Sequence, residues 1–243
     1  MSDNYVNHYA KWHDGSDQDY GKYHELYSKL LKKVLNRVDA KARVMDIGCG
    51  TGLLVSSLRA NGYSSVIGVD IDIGQIRLAE MRGLPCVHVD KSYIFEMSYR
   101  EPSSLDVVFL MDVLEHMEVE EQIPFLSAVA KIVKPGGILV MSVPNANSSF
   151  AMRWRHIDWT HRDSFTEHSI EFAINAAGFS AMTIHPFEFG RKPRFPYVHR
   201  PANWLFLIRS IFRGFRRLEA IAELGKEGFV VPLGLNLLVE ARR

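Results

Sequence analysis

The chain has 243 residues, of which 47% are hydrophobic, and a formal net charge of +1. This length suits one α/β domain with insertions, and the hydrophobic content is sufficient for a large core. The two cysteines exclude a disulfide framework, no apolar stretch is long enough to span a membrane, and the N-terminus lacks the apolar core of a signal peptide, so a cytoplasmic location is expected.

Helical and extended patterns alternate along the chain, which predicts a mostly parallel sheet covered by helices on both faces. The predicted strands lie near 43–47, 65–70, 84–89, 105–110, 137–143, 179–188 and 235–241. The predicted helices lie near 20–37, 53–60, 74–81, 119–133 and 166–177. Residues 1–243 are therefore expected to form a single domain, whose N-terminal part, residues 1–38, is helical with an aromatic N-terminus.

The first strand leads directly into a turn rich in glycine. Asp46 stands near the end of the strand, and Gly48, Gly50 and Gly52 follow before the next helix. The spacing differs from the dinucleotide fingerprint, and no Gly-Lys-Ser/Thr follows as in a phosphate loop. Asp70 ends the second strand, 22 residues after Gly48. A carboxylate at this distance is placed to accept both hydroxyls of a ribose.

Four sequence blocks resemble the class I S-adenosylmethionine-dependent methyltransferases. They are D-I-G-C-G-T-G from position 46, G-V-D-I-D from 68, L-D-V-V-F-L-M-D-V-L-E-H-M at 105–117 and K-I-V-K-P-G-G-I-L-V-M-S-V-P-N at 131–145. Within that class, the chain resembles the small-molecule branch of ubiquinone-pathway and bacterial sugar or polysaccharide O-methyltransferases. The resemblance implies a Rossmann-like, seven-stranded sheet whose last strand is antiparallel. It also implies S-adenosylmethionine as cofactor, S-adenosylhomocysteine as product, and residues 1–38 as a cover on the cofactor.

The cofactor site is expected where the carboxyl ends of the strands meet. Asp46 is predicted to reach the ammonium group of the methionine part, Asp70 the ribose hydroxyls, and Ile71 the adenine. The glycine turn lets backbone approach the methionine part. The turn residues predicted to bind cofactor are Gly48, Cys49, Gly50 and Gly52.

The ends of the third and fourth strands complete this predicted site. Asp90 is predicted to accept a hydrogen bond from the adenine amino group, and Lys91 flanks it. Met111 and Asp112 are predicted to close the methionine side.

A hydroxyl acceptor must lose a proton near neutral pH, so a histidine is expected as general base. His161 is the preferred candidate, because it lies in a polar loop after the fifth strand together with His156, Trp154 and other polar and aromatic residues. His116, directly after the fourth strand, is the alternative, and His156 is a third candidate. Trp154 is predicted to contact the acceptor.

The segment Asp112-Val-Leu-Glu115-His116 resembles the E-x-x-E-H motif with which quinone O-methyltransferases hold a divalent metal. Two carboxylates and one imidazole suit Mg²⁺ or Mn²⁺. The same pattern is also found in relatives without metal, where it orients the cofactor loop, and no metal is the prediction here.

A basic and aromatic insertion, residues 189–225, separates the last two predicted strands. Residues 190–217 contain eight Lys or Arg and no Asp or Glu, which indicates an anionic partner or a solvated surface. Arg191 and Arg194 are predicted to bind a phosphate-bearing acceptor. The helical pattern at 204–218 is compatible with a substrate lid, with a membrane-surface helix, or with a helix packed on the core.

The sequence therefore predicts O-methylation of a sugar, glycan or other small-molecule hydroxyl, with a phosphate-bearing or lipid-linked acceptor and peripheral membrane contact as the finer expectations. The alternatives are a quinone-type, metal-assisted O-methyltransferase and a small-molecule N-methyltransferase. An RNA or protein methyltransferase is less favoured, because the chain has no recognisable nucleic-acid module, and no nucleic-acid partner is expected.

Overall fold

A computed structural model describes residues 17–35, 38–185 and 201–243 of the chain. The strands are β1 (Val44–Ile47), β2 (Val66–Asp70), β3 (Cys86–His88), β4 (Leu105–Met111), β5 (Val133–Pro144), β6 (Ser180–His185) and β7 (Asn236–Arg242). The helices are α1 (Asp17–Val34), α2 (Leu53–Ala60), α3 (Ile73–Met81), α4 (Tyr93–Arg100), α5 (Val119–Ile132), α6 (Ala151–Ile157), α7 (Glu167–Ala176) and α8 (Pro201–Leu224). Short 3₁₀ turns lie at Leu114–His116 and Glu227–Phe229.

The seven strands form one sheet in the order β3-β2-β1-β4-β5-β7-β6. The pairs from β3 to β5 are parallel, whereas β7 runs antiparallel to both β5 and β6. Because β1 pairs with β2 on one side and with β4 on the other, the strand order reverses at β1. Ligands of open α/β sheets bind at the carboxyl ends of the strands beside such a reversal.

The core lies on both faces of the sheet, because successive side chains of a strand point to opposite sides. In β4, Val107 and Phe109 pack into the cluster that includes α1 and α2, while Val108 and Leu110 pack into the cluster that includes α5 and α7. All four side chains are buried. The strand ends are therefore fixed by a core on each side.

The predicted fold class is confirmed, including the antiparallel last strand. Two short helices, α4 and α6, were not predicted. The fifth strand was predicted near 137–143, but it already begins at Val133. The pairing of β4 with β5 shifts register between Leu105 and Val107. The Pro-Gly-Gly sequence of β5 forms this irregularity within the strand.

Candidate active site

A cavity of about 130 Å³ lies at the carboxyl ends of β1 and β4. The glycine turn after β1 forms one side, and Met111, Asp112 and Ser142 form another. Tyr23 and Tyr27 of α1 also line the cavity, and their rings stack with centroids 5.9 Å apart. The sequence predicts the cofactor at this carboxyl end of the strands.

A larger open cleft, of about 950 Å³, lies at the opposite end of the strands, where β4 and β5 begin. Its acidic side chains already have protein partners: Lys134 Nζ is 2.6 Å from Asp106 Oδ1, and His185 Nε2 is 2.8 Å from Glu240 Oε2. Because it lies away from the carboxyl ends of the parallel strands, we assign the active site to the smaller cavity.

The glycine turn has a backbone that other residues rarely adopt. The φ angles of Gly48, Gly50 and Gly52 are 74°, 53° and 79°. A Cβ atom at Gly48 would also clash with Cγ2 of Val113. Glycine is therefore required here both for the left-handed backbone and for the close approach of the loop after β4.

Replacing Gly48 by alanine is expected to destabilise the protein by about 1–3 kcal/mol more than the same change at Gly62. Gly62 is the matched control, because its φ is also positive, at 94°, but a Cβ there meets nothing within 4 Å. Denaturant unfolding of both variants measures the difference. Equal losses would mean that only backbone strain, and not the contact with Val113, matters at Gly48.

Asp46 is a buried carboxylate, only 2% exposed, beside the glycine turn. Its Oδ1 atom has no hydrogen-bond partner among the described residues. Burial, followed by the proximity of Cys86 and Asp70, raises the pKa of Asp46 well above its usual range. Gln75 presents a second buried oxygen without a partner in the described chain, and it lines the same cavity. Two such acceptors fit a ligand that supplies donors, as the ammonium group of S-adenosylmethionine does.

Asp70 is held in place by backbone donors. The amide of Gly50 donates to Asp70 Oδ2 at 2.8 Å, and the amide of Asp72 donates to Oδ1 at 2.8 Å. Burial raises the pKa of Asp70, and these two hydrogen bonds act in the opposite direction. Each carboxylate oxygen keeps a further acceptor site, which fits the two hydroxyls of a ribose. Asp70 thus links the predicted ribose site to the conformation of the glycine turn.

The predicted adenine contacts lie at the ends of β2 and β3. Ile71 directly follows β2 and is 40% exposed, as a side chain open to a ligand must be. Asp90 and Lys91 are exposed residues after β3, and, like Asp70 and Ile71, they are not among those that line the cavity. Asp90 Oδ1 accepts hydrogen bonds from the amide and hydroxyl of Ser92, so it also helps to start α4. The ribose role of Asp70 and the adenine roles of Ile71, Asp90 and Lys91 all stay predictions.

Cys49 and Asp112 are structural parts of the cavity wall. Cys49 is buried, and its hydrogen bond with Cys86, together with burial, raises the pKa of its thiol.

Asp112 has a positive φ of 54°, which is uncommon for a residue other than glycine. The hydroxyl of Ser142 donates to Asp112 Oδ1 at 2.7 Å, and the side-chain amide of Asn236 donates to it at 3.2 Å. This strained residue turns the chain from β4 towards the 3₁₀ turn that carries His116.

The structure brings together two of the three histidines proposed as bases. The ring centroids of His116 and His161 are 4.8 Å apart. The Thr160 hydroxyl donates to Asp158 Oδ1 at 2.7 Å, and Thr160 Oγ1 lies 2.7 Å from His116 Nδ1. Because the Thr160 proton is committed to Asp158, Nδ1 of His116 must be the donor, which leaves the lone pair on Nε2.

Charge and burial favour this hydrogen-bond order. Burial opposes ionisation of Asp158, but its hydrogen bonds from Thr160, together with the neighbouring His116 and His161, lower its pKa overall. Burial and the neighbouring His161 lower the pKa of His116 to about 4, so His116 is neutral near pH 7. A base with such a low pKa is a weak proton acceptor near neutral pH.

His161 has its own fixed orientation. Its Nδ1 atom lies 2.8 Å from the backbone carbonyl oxygen of Trp154. Because a carbonyl only accepts hydrogen bonds, Nδ1 donates and Nε2 carries the lone pair of the neutral ring. A guanidinium hydrogen bond from Arg155 holds the His161 carbonyl. His156, in contrast, is exposed on α6, and no hydrogen bond or ring contact among the described residues joins it to the pair.

Glu115 completes this cluster. It is 1% exposed, and its Oε2 atom has no partner in the described part of the chain. Burial, followed by the charges of Asp112 and Asp158, raises its pKa well above the usual range. One ligand atom from each of Glu115, His116 and His161 lies within 4.8 Å of the others. The set offers one oxygen and two nitrogens, a combination that divalent metals such as Mn²⁺ accept.

Other parts of the site were not predicted from the sequence. Thr160 connects Asp158 to His116, and Tyr23, Tyr27 and Gln75 line the cavity. The two tyrosines fit the apolar period of α1, which gives no sign that they face a cavity. Arg191 and Arg194, predicted to bind the acceptor, lie outside the described residues, as does the N-terminal part of the predicted cover, residues 1–16.

The profile of a family described as a methyltransferase domain matches residues 20–184. Among curated proteins, the ubiquinone biosynthesis O-methyltransferase of Hahella chejuensis is 33% identical over 141 residues, which is 56% of this chain and 58% of that protein. The enzyme of the same description from Burkholderia thailandensis is 38% identical over 121 residues, 46% of this chain and 51% of that protein. The matches thus span little more than half the length of these relatives.

Solved structures share the fold. A SAM-dependent methyltransferase from Archaeoglobus fulgidus superposes with a TM-score of 0.64 and 23% identity, covering 90% of this chain and 94% of that one. A SAM-dependent methyltransferase from Thermotoga maritima, described as a possible histamine N-methyltransferase, superposes with a TM-score of 0.58 and 14% identity, covering 98% and 96%.

Proposed function

The chain belongs to the methyltransferase-domain family whose profile spans residues 20–184, and from this premise we propose that it transfers a methyl group from S-adenosylmethionine to a hydroxyl group of a small molecule, with His161 as general base. The observation that supports the base most directly is the hydrogen bond from His161 Nδ1 to the Trp154 carbonyl, because it leaves the lone pair on Nε2. The relatives named for ubiquinone biosynthesis support O-methylation.

The cofactor supplies a methyl group that is already activated on a sulfonium. The chain must therefore hold the reactants in line, and positioning of this kind is worth roughly 7–11 kcal/mol. Asp46 would hold the ammonium group of the methionine part, Asp70 the ribose hydroxyls, and Ile71 the adenine face. Tyr23 and Tyr27 would cover the methionine side and keep water out.

His161 Nε2 would then accept the proton of the acceptor hydroxyl. His116 would remain neutral beside it, because an imidazolium at that position would oppose the charge formed on His161. The relay from Asp158 through Thr160 keeps His116 in this tautomer. Trp154 positions His161 through its carbonyl, and we propose that its side chain contacts the acceptor.

For the acceptor we propose a sugar, glycan or other small molecule that bears phosphate or a lipid and is met at a membrane surface. Sequence supports this finer assignment, since eight cationic residues and no acidic one occur between positions 190 and 217. Arg191 and Arg194 would bind phosphate in a two-pronged fashion.

A metal-assisted O-methyltransferase is the second candidate, and the arrangement of Glu115, His116 and His161 favours it. In that reaction the two imidazoles would hold a divalent cation, and neither would be a base. Metal would then lower the pKa of a bound hydroxyl. Asp112, which the sequence resemblance also implied as a ligand, instead accepts hydrogen bonds from Ser142 and Asn236.

Methyl transfer to nucleotide sugars, lipid-linked glycans and quinone precursors, each with and without a chelator, is the test of the proposal. We expect turnover with a hydroxyl acceptor that is unaffected by the chelator. Activity lost on chelation and restored by Mn²⁺ would favour the metal reaction. Glu115→Gln separates the two further, because it would weaken metal binding but leave the His161 tautomer intact.

A further inference from the structure

Helix α8 turns its apolar face away from the body of the protein. Eight large apolar side chains between positions 204 and 218 are about half to two-thirds exposed: Trp204, Leu205, Leu207, Ile208, Ile211, Phe212, Phe215 and Leu218. On a helical projection with 3.6 residues per turn, they fall on one side, which Glu219 and Glu223 join near the end of the helix, and Arg209, Arg213, Arg216 and Arg217 fall on the other. A helix that packs on a core usually has the opposite orientation.

The arginine side is the one that attaches α8 to the protein. The Arg216 guanidinium donates to Ser149 Oγ and to the Asn147 carbonyl, both at 3.1 Å. The Arg217 guanidinium donates to the Gly228 carbonyl at 2.7 Å. The apolar side is thus left facing outward by specific polar contacts.

The surface lies close to the candidate active site. Asn147 and Ser149 follow the carboxyl end of β5. The hydrogen bonds of Arg216 therefore hold α8 at the same end of the strands as the candidate site. Phe150 and Met152, next to these contacts, are 59% and 70% exposed. Apolar side chains are therefore exposed on both α8 and the adjoining segment.

We propose that α8 lies on an anionic membrane surface, with its apolar face in the acyl boundary. A helix that carries Trp, Phe and Leu on one face and Arg on the other is typical of interfacial binding. The chain has eight Lys or Arg and no acidic residue from position 190 to 217, which complements anionic headgroups, and the two acidic residues of α8, Glu219 and Glu223, lie near its end. None of the helices in the described residues is long and apolar enough to cross a bilayer.

A second copy of the chain is the alternative occupant of this face, and the oligomeric state measured below distinguishes it from a membrane surface. The proposal that α8 binds a membrane rests on the proposed function, and it adds the surface at which a lipid-linked acceptor would be bound. Vesicle binding, however, is measured without turnover or cofactor.

The test is cosedimentation of the full chain with phosphatidylcholine vesicles that contain or lack phosphatidylglycerol. We expect binding to the anionic vesicles that weakens as salt is raised. The double variant Phe212→Asp/Phe215→Asp is expected to weaken this binding about 10-fold or more, since two aromatic side chains leave the acyl boundary. Phe172→Asp is the matched control: Phe172 on α7 is 68% exposed, against 66% for Phe212 and Phe215, and it should bind like the wild type.

Equal binding of the wild type and the double variant would overturn the proposal, as would the absence of binding to anionic vesicles. A wild-type dimer that the double variant dissociates, without any vesicle binding, would assign the face to a second copy instead. Cofactor affinity measured by calorimetry in the same variants keeps the two proposals apart. Loss of vesicle binding with intact cofactor binding contradicts only the membrane surface, and the converse contradicts only the methyltransferase site.

Discussion

Replacing His161 by alanine is expected to lower turnover about 10²-fold or more and to leave cofactor affinity nearly unchanged, because general base catalysis contributes on the order of 10²–10⁴-fold. The His161 ring is fixed by its hydrogen bond to Trp154 and is not part of the glycine turn. Its loss should therefore lower kcat rather than raise the dissociation constant of the cofactor. Steady-state kinetics combined with calorimetry measure both quantities.

His156→Ala is the matched control for this prediction. His156 lies five residues away in the same segment but is exposed, and it should keep wild-type kcat. His116→Ala is expected to have an intermediate effect, because the low pKa of His116 makes it a weak base while its ring packs against His161. If His116→Ala shows the full loss of kcat and His161→Ala does not, the base is His116.

Replacing Asp70 by alanine is expected to weaken S-adenosylmethionine binding by roughly 10–100-fold, since hydrogen bonds to a charged group are worth about 1.5–3 kcal/mol. Two effects add in this variant. The ribose hydroxyls lose their acceptors, and the Gly50 amide loses the carboxylate that fixes the turn. Calorimetric titration of the wild type and the variant gives the ratio of affinities.

Asp90→Ala tests the neighbouring strand end in the same way. Asp90 is exposed and engaged with Ser92, so its replacement should cost less affinity than that of Asp70. Equal affinities of the wild type and Asp70→Ala would remove Asp70 from the cofactor site. A larger loss at Asp90 than at Asp70 would move the main polar contact from the ribose to the adenine.

The parts of the site that were predictable are those encoded in short stretches of sequence. Gly48, Gly50 and Gly52 mark a left-handed turn because glycine is the residue that tolerates it, and all three have positive φ. Asp70 was predictable because it ends an apolar strand at a known distance from that turn. Strand and helix alternation likewise predicted the sheet.

The parts that were not predictable depend on contacts between distant segments. Thr160 and His116 are 44 residues apart, and only the fold shows that a threonine orients the histidine. The eight-residue helix α4 is too short for its apolar period to be distinguished from a loop. For α8, the sequence predicted an amphipathic helix but left open which face packs on the body, and the contacts of Arg216 and Arg217 decide it.

The central claim is that the turn after β1 and the carboxylates Asp46 and Asp70 form a site for S-adenosylmethionine. Calorimetric titration of the wild-type protein with S-adenosylmethionine, S-adenosylhomocysteine and NAD tests it most directly. We expect saturable one-to-one binding of the first two ligands and none of NAD, since the glycine spacing differs from the dinucleotide fingerprint. Saturable binding of NAD without binding of either adenosyl ligand would contradict the account.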